Sequence, residues 1–160
     1  MARSASGRVG RSARRQIVHR DIKPDNLFLT TEGRLKLLDF GISNLAFRGR
    51  QISSAAQTGT AGFMAPETCR GRPGVLDDPR VDLWAVGATA FTLLSGRAVH
   101  DAESAGEMLV RTATQPALPL SEVVPGTPPG FARAIDRALA LDSAQRWQTA
   151  NEMRAALRAD

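Results

Sequence analysis

His19-Arg20-Asp21-Ile22-Lys23-Pro24-Asp25-Asn26 is followed, thirteen residues after Asn26, by Asp39-Phe40-Gly41. Within this short span lie a carboxylate suited to act as a base (Asp21), a cation suited to bind phosphate (Lys23) and two oxygen-bearing side chains (Asn26, Asp39). The segment between them reads as a hairpin. Leu27-Phe28-Leu29 is a short apolar strand, Thr31-Glu32-Gly33 a turn and Leu35-Lys36-Leu37-Leu38 the return strand. Because an antiparallel return brings the start of one strand beside the end of the other, Asn26 and Asp39 are expected as neighbours. Their oxygens suit a hard cation such as Mg²⁺.

Working outward, the 160 residues allow one domain with one core. No run approaches the ~18 apolar residues of a membrane span. The most apolar window, Trp84 to Leu94, is short and interrupted by Gly87, Thr89 and Thr92. The N-terminal arginines are not followed by an apolar stretch, so nothing there reads as a secretory signal. A single cysteine, Cys69, excludes an internal disulfide and suits the cytoplasm.

The net charge of +5 has a local origin. Arg3, Arg8, Arg11, Arg14 and Arg15 stand in the first fifteen residues with no acid, and the remaining chain balances sixteen basic against sixteen acidic residues. Such a tail could touch nucleic acid or an anionic membrane. The plainer expectation is a disordered Arg-rich leader over residues 1–15, without nucleic acid as a partner, because these residues lack apolar periodicity.

Further along, residues 42–61 are rich in Ser, Gly, Gln and Arg and read as an exposed loop. It closes in Gly59-Thr60-Ala61-Gly62-Phe63-Met64-Ala65-Pro66-Glu67. Pro79-Arg80-Val81-Asp82 opens a helix to about Leu94, ended by Ser95-Gly96 and apolar on nearly all sides, hence buried. A shorter helix is expected over Asp101–Thr114, with Ala105, Met108 and Leu109 on one face, and a Pro-rich connector over Pro116–Pro129. An amphipathic helix near Phe131–Leu141 follows, and a last one begins at the capping box Thr149-Ala150-Asn151-Glu152.

In order and spacing these motifs resemble the protein kinase family. The lysine two residues after Asp21 is similar to its serine/threonine branch, and the Arg- and Ala-rich usage to bacterial members. The resemblance covers about residue 16 onward and implies a mainly α fold with a small β-hairpin. That is the large C-terminal lobe over residues 16–160, with catalytic loop, activation segment and four or so helices, and with the N-terminal lobe absent. It implies transfer of the ATP γ-phosphoryl group to a Ser/Thr hydroxyl of a protein substrate, with ATP and Mg²⁺ as cofactors.

The resemblance also assigns roles. Asp21 is the base, Lys23 steadies the transferring phosphoryl group, and Asn26 and Asp39 hold Mg²⁺. Phe28 forms the floor under the adenine, and Thr60 marks the substrate-docking stretch and hydrogen-bonds near Asp21 and Lys23. Ser53, Ser54 and Thr58 are candidate phosphorylation sites, because a phosphate there could pair with Arg20 and order the loop. His19, Phe40 and Gly41 support the site structurally, Asp82 accepts backbone N–H bonds from the catalytic loop, and Arg146 pairs with Glu67 inside. The two lysines, Lys23 and Lys36, leave none for the family's ATP-anchoring strand, and no glycine-rich lid is expected. Little activity is therefore expected of this chain unless an N-terminal lobe or a partner kinase completes it. A non-catalytic kinase-like docking or regulatory module is the alternative.

Overall fold

The computed structural model describes residues 17–38, 58–71 and 74–159, with residues 58 and 59 described by backbone alone. The Arg-rich leader, Asp39, Phe40, Gly41, Ser53 and Ser54 lie outside the described residues, and so does the side chain of Thr58. The described chain is mainly helical with one two-stranded sheet.

Strands β1 (Leu27–Leu29) and β2 (Leu35–Leu37) pair antiparallel with Leu27 opposite Leu37, the expected hairpin. Its turn is closed by Thr30 N–H to the Arg34 carbonyl and Gly33 N–H to the Thr30 carbonyl, both 2.9 Å. Gly33 takes φ 73°, which suits a residue without Cβ. One further bond, Leu38 N–H to the Asn26 carbonyl at 2.8 Å, ties the end of the return strand to the start of the outgoing one. The hairpin's side chains are open, with Phe28, Leu29, Leu35 and Leu38 all exposed.

Two short helices, α1 (Thr58–Ala61) and α2 (Pro66–Cys69), come next. The stretch expected to remain a loop through Ala61 thus ends in a helical turn, because Ala61 and Gly62 are buried and anchor it. Helix α3 (Arg80–Ser95) follows, ended by Gly96 in the left-handed conformation at φ 70°. Its Val81, Leu83, Trp84, Ala88 and Phe91 are buried, whereas Leu93 and Leu94 in the last turn are exposed. The helix is therefore enclosed along its first three turns and not along its whole length.

Helix α4 (Ala105–Thr114) starts four residues later than the composition suggested. Ser104 is its N-cap, accepting from Glu107 N–H at 3.2 Å, while Glu107 accepts from Glu103 N–H at 2.9 Å. The Pro-rich connector holds a turn of helix, α5 (Leu120–Val123), that sequence reading missed. Leu120 is fully buried and its N–H donates to Asp136 at 2.8 Å, so one apolar anchor and one acceptor across the chain fix what prolines alone do not.

Helix α6 (Pro129–Ala138) packs on α3, with Ala132, Ile135, Ala138 and Leu139 in the core. The approach is close at Gly87, where a Cβ would stand 2.9 Å from the Ala138 Cβ. Helix α7 (Ala150–Ala156) begins at the Thr149 cap, which accepts from Glu152 N–H at 3.1 Å. The glutamate reaches back to Gln148 N–H at 3.1 Å, one residue before the cap, as at α4. Burying side chains the size of Trp84, Phe91, Leu120 and Ile135 stabilises the fold by about 1.5–3 kcal/mol each. No helix among the described residues is long and apolar enough to cross a membrane.

Candidate active site

The loop from His19 to Asn26 is built on the N-terminus of α3. Asp82, in the first turn of that helix, accepts His19 N–H at 2.6 Å through one carboxylate oxygen and Arg20 N–H at 2.8 Å through the other. A carboxylate with both oxygens bound to successive amides sets the direction of the chain that carries them. His19 is buried, and Arg20 takes the left-handed backbone at φ 69°, the one such non-glycine among the described residues. A conformation of that kind costs about 1–3 kcal/mol and persists where neighbouring contacts over-determine it.

After the turn at Arg20, Lys23 is fully extended and Pro24 opens a short 3₁₀ turn, Pro24–Asn26, closed by Asn26 N–H to the Lys23 carbonyl at 3.1 Å. Pro24 suits that place because its fixed φ fits the first helical position and its missing N–H is not needed there. The turn folds Asn26 back on Asp21. The Asn26 amide nitrogen donates to the Asp21 carbonyl at 2.6 Å and to Asp21 Oδ2 at 2.8 Å.

On the other side, Lys23 Nζ stands 3.3 Å from Asp21 Oδ1 and donates to Thr60 Oγ1 at 3.2 Å. The Asp21 and Lys23 side chains are each under one-fifth exposed, so the pair is partly withdrawn from water and still open to it. The structure thus brings Asp21, Lys23, Asn26 and Thr60 into one hydrogen-bonded group. Phe28 stands two residues beyond Asn26 with its ring exposed. Asp39 follows Leu38, the residue whose N–H binds Asn26, but lies outside the described residues.

Support comes from the opposite end of the chain. Arg146 is fully buried and binds Glu67 through both terminal guanidinium nitrogens, Nη1 at 2.8 Å and Nη2 at 2.7 Å. It also donates to the Ala140 carbonyl at 2.8 Å and lies over the Trp84 ring, 5.0 Å from its centre. Glu67 belongs to α2, directly after the segment carrying Thr60, so this pair ties that segment to the core. Beside it, burial and the negative charge of Glu67 push the Cys69 thiol up to about 12, the condition of an inert thiol.

Sequence reading missed the partners of the Arg20 side chain. Its Nε donates to the Leu76 carbonyl at 2.8 Å and its Nη2 to Asp77 Oδ1 at 2.6 Å. The signal was the Asp77-Asp78 doublet just ahead of α3, easily taken for ordinary acids near a helix N-terminus. Asp78 does serve locally: its carboxylate grips Arg80, and that bond holds its carboxyl below the usual carboxylate range.

The protein kinase domain profile matches residues 13–156. The chain belongs to the protein kinase family. It is 40% identical over 148 residues to the serine/threonine-protein kinase Pkn1 of Myxococcus xanthus, covering 89% of this chain and 21% of that protein. It is 34% identical over 149 residues to the probable serine/threonine-protein kinase PknB of Bifidobacterium longum, again 89% of this chain and 21% of that one. With PknL of Mycobacterium tuberculosis the identity is 31% over 157 residues, 98% of this chain and 39% of that protein. The chain therefore spans about a fifth to two-fifths of the length of these relatives.

Proposed function

We propose that the group around Asp21 is the phosphoryl-transfer site of a serine/threonine protein kinase, in the large lobe of that fold. The observation that carries this reading is the joint hydrogen bonding of Asp21, Lys23, Asn26 and Thr60. A docking module has no need of a carboxylate and an ammonium group held together, with an amide and a hydroxyl as their hydrogen-bond partners.

In the reaction, a substrate serine or threonine oxygen attacks the γ-phosphorus of ATP, and the bond to the β-phosphate oxygen breaks. Asp21 orients the attacking hydroxyl and takes its proton. Lys23, held by Asp21 and Thr60, places its positive charge beside the transferring group. Phe28 offers its open ring as a floor for the adenine, and Thr60 lines the path of the substrate. The amide oxygen of Asn26 and the carboxylate of Asp39 have the hard-donor chemistry that Mg²⁺ requires and would hold it. Bound there, the ion would neutralise charge on the ATP phosphates. The unpaired Cys69 fits a reducing compartment such as the cytoplasm.

By resemblance, the family's strand lysine and the lid over the phosphates belong upstream of His19. The test is a fusion of the chain downstream of the first half of the Myxococcus kinase domain, assayed with ATP, Mg²⁺ and a serine peptide. Transfer that falls about 10²–10⁴-fold on Asp21→Asn supports the reading. A folded fusion with no transfer above the Asp21→Asn level overturns it.

A further inference from the structure

The Arg20 guanidinium meets an anion that belongs to this chain. Nε and Nη2 are bound by the Leu76 carbonyl and Asp77 Oδ1, both in the 3₁₀ turn Val75–Asp77. That turn is itself fixed. It starts at Gly74 in the left-handed conformation, φ 77°, and is closed by Asp77 N–H to the Gly74 carbonyl and Asp78 N–H to the Val75 carbonyl. Its end leads straight into α3, where Asp82 holds the Arg20 N–H. Arg20 is thus held twice by neighbouring stretches of chain, by its backbone through Asp82 and by its side chain through Leu76 and Asp77. Between these two grips its backbone keeps φ 69°, and the next residue is Asp21.

We propose that Asp77 is a positioning residue for the phosphoryl-transfer site: a carboxylate built into the turn before α3 that holds Arg20, and through it Asp21. It supplies from within the fold the negative charge that a phosphate on Ser53, Ser54 or Thr58 was expected to bring. Order in residues 19–26 then does not depend on phosphorylation of the segment after Gly41. The role in transfer rests on the kinase reading above; the contact and its effect on the loop do not. The Asp77 side chain is 66% exposed, so its contribution to global stability is small and its effect is local.

The experiment is amide hydrogen exchange by NMR on the full chain, comparing wild type with Asp77→Asn, Asp77→Ala and Asp77→Glu. The sites read are the His19, Arg20 and Asn26 amides and the Arg20 Nε–H. Loss of the carboxylate should speed their exchange about two- to fivefold, as befits a partly exposed ion pair, while amides of α6 such as Ala138 stay unchanged. Asp77→Glu should restore protection. Replacing Ser53, Ser54 and Thr58 together by Ala should leave the loop as in wild type. Unchanged exchange at all four sites in both Asp77→Asn and Asp77→Ala overturns the proposal, and so does loss of protection spread equally over α6. If the loop loosens as expected while the fusion assay fails, the contact stands and the kinase reading falls.

Discussion

Glu67 and Arg146 stand 79 residues apart in the chain and meet as a two-toothed ion pair inside the fold, with no part of Arg146 reaching solvent. Removing one member leaves the other charge buried alone, which typically costs about 3–5 kcal/mol. Arg146→Ala should therefore lower the denaturant midpoint strongly, and an unshifted midpoint would show that the pair does not support the fold. Glu67→Leu combined with Arg146→Met should cost less than the two single changes added, since neither charge is then left unpaired.

Asp82 binds two amides with one carboxylate, and Asp82→Asn keeps the shape while changing what it offers. An amide side chain turns one acceptor into a donor, so either His19 or Arg20 loses its partner. The expected cost is about 1–3 kcal/mol, with faster amide exchange at that residue. Equal stability and unchanged exchange would contradict the anchoring role.

Gly87 marks the tightest crossing of α3 and α6. Helix propensity alone favours alanine there by about 1 kcal/mol. The new Cβ, however, would stand 2.9 Å from the Ala138 Cβ and 3.3 Å from two atoms of Leu139. Parting the helices by a few tenths of an ångström costs about 1–3 kcal/mol, so Gly87→Ala should destabilise on balance. A raised melting temperature would show that the crossing has slack.

His100 is buried with no hydrogen-bond partner at Nε2 among the described residues. Burial, assisted by the charge of Arg111, holds its pKa below the ordinary 6.5. The unfolded chain therefore takes up this proton first as pH falls. Stability linked to His100 is fully present above about 6.5 and is lost as pH drops from there toward the depressed folded value. His100→Leu should flatten the stability profile below pH 6.5, and an unchanged slope would remove His100 as its cause.

Much of this geometry is written in local pattern. The hairpin follows from Leu27-Phe28-Leu29, a glycine turn and the return strand, and the end of α3 follows from Gly96. The Thr149 cap follows from its glutamate three residues on. The Glu67–Arg146 pair and the Asp82 anchor were legible only through the resemblance, since no local rule joins residues more than sixty positions apart. What escaped reading depends on contacts and choices that local pattern does not decide. The turn at Leu120 exists because Asp136 caps it from another helix, and the start of α4 depends on which of several polar residues becomes the cap. Arg20 turns to Asp77 because the fold brings the turn before α3 beneath it. Of the hydrogen-bonded group, Asp21, Lys23, Asn26 and Thr60 were named through the resemblance, and the grip on Arg20 was not.

The position of Asp82 in the chain also sets a clock. A ribosome delivers the loop at His19 and Arg20 more than sixty residues before it delivers the carboxylate that shapes it. At ordinary synthesis rates of about 5–20 residues per second, that is an interval of roughly 3–12 s. During it the loop has been made but lacks its mould, and the first turn of α3 is what ends the wait.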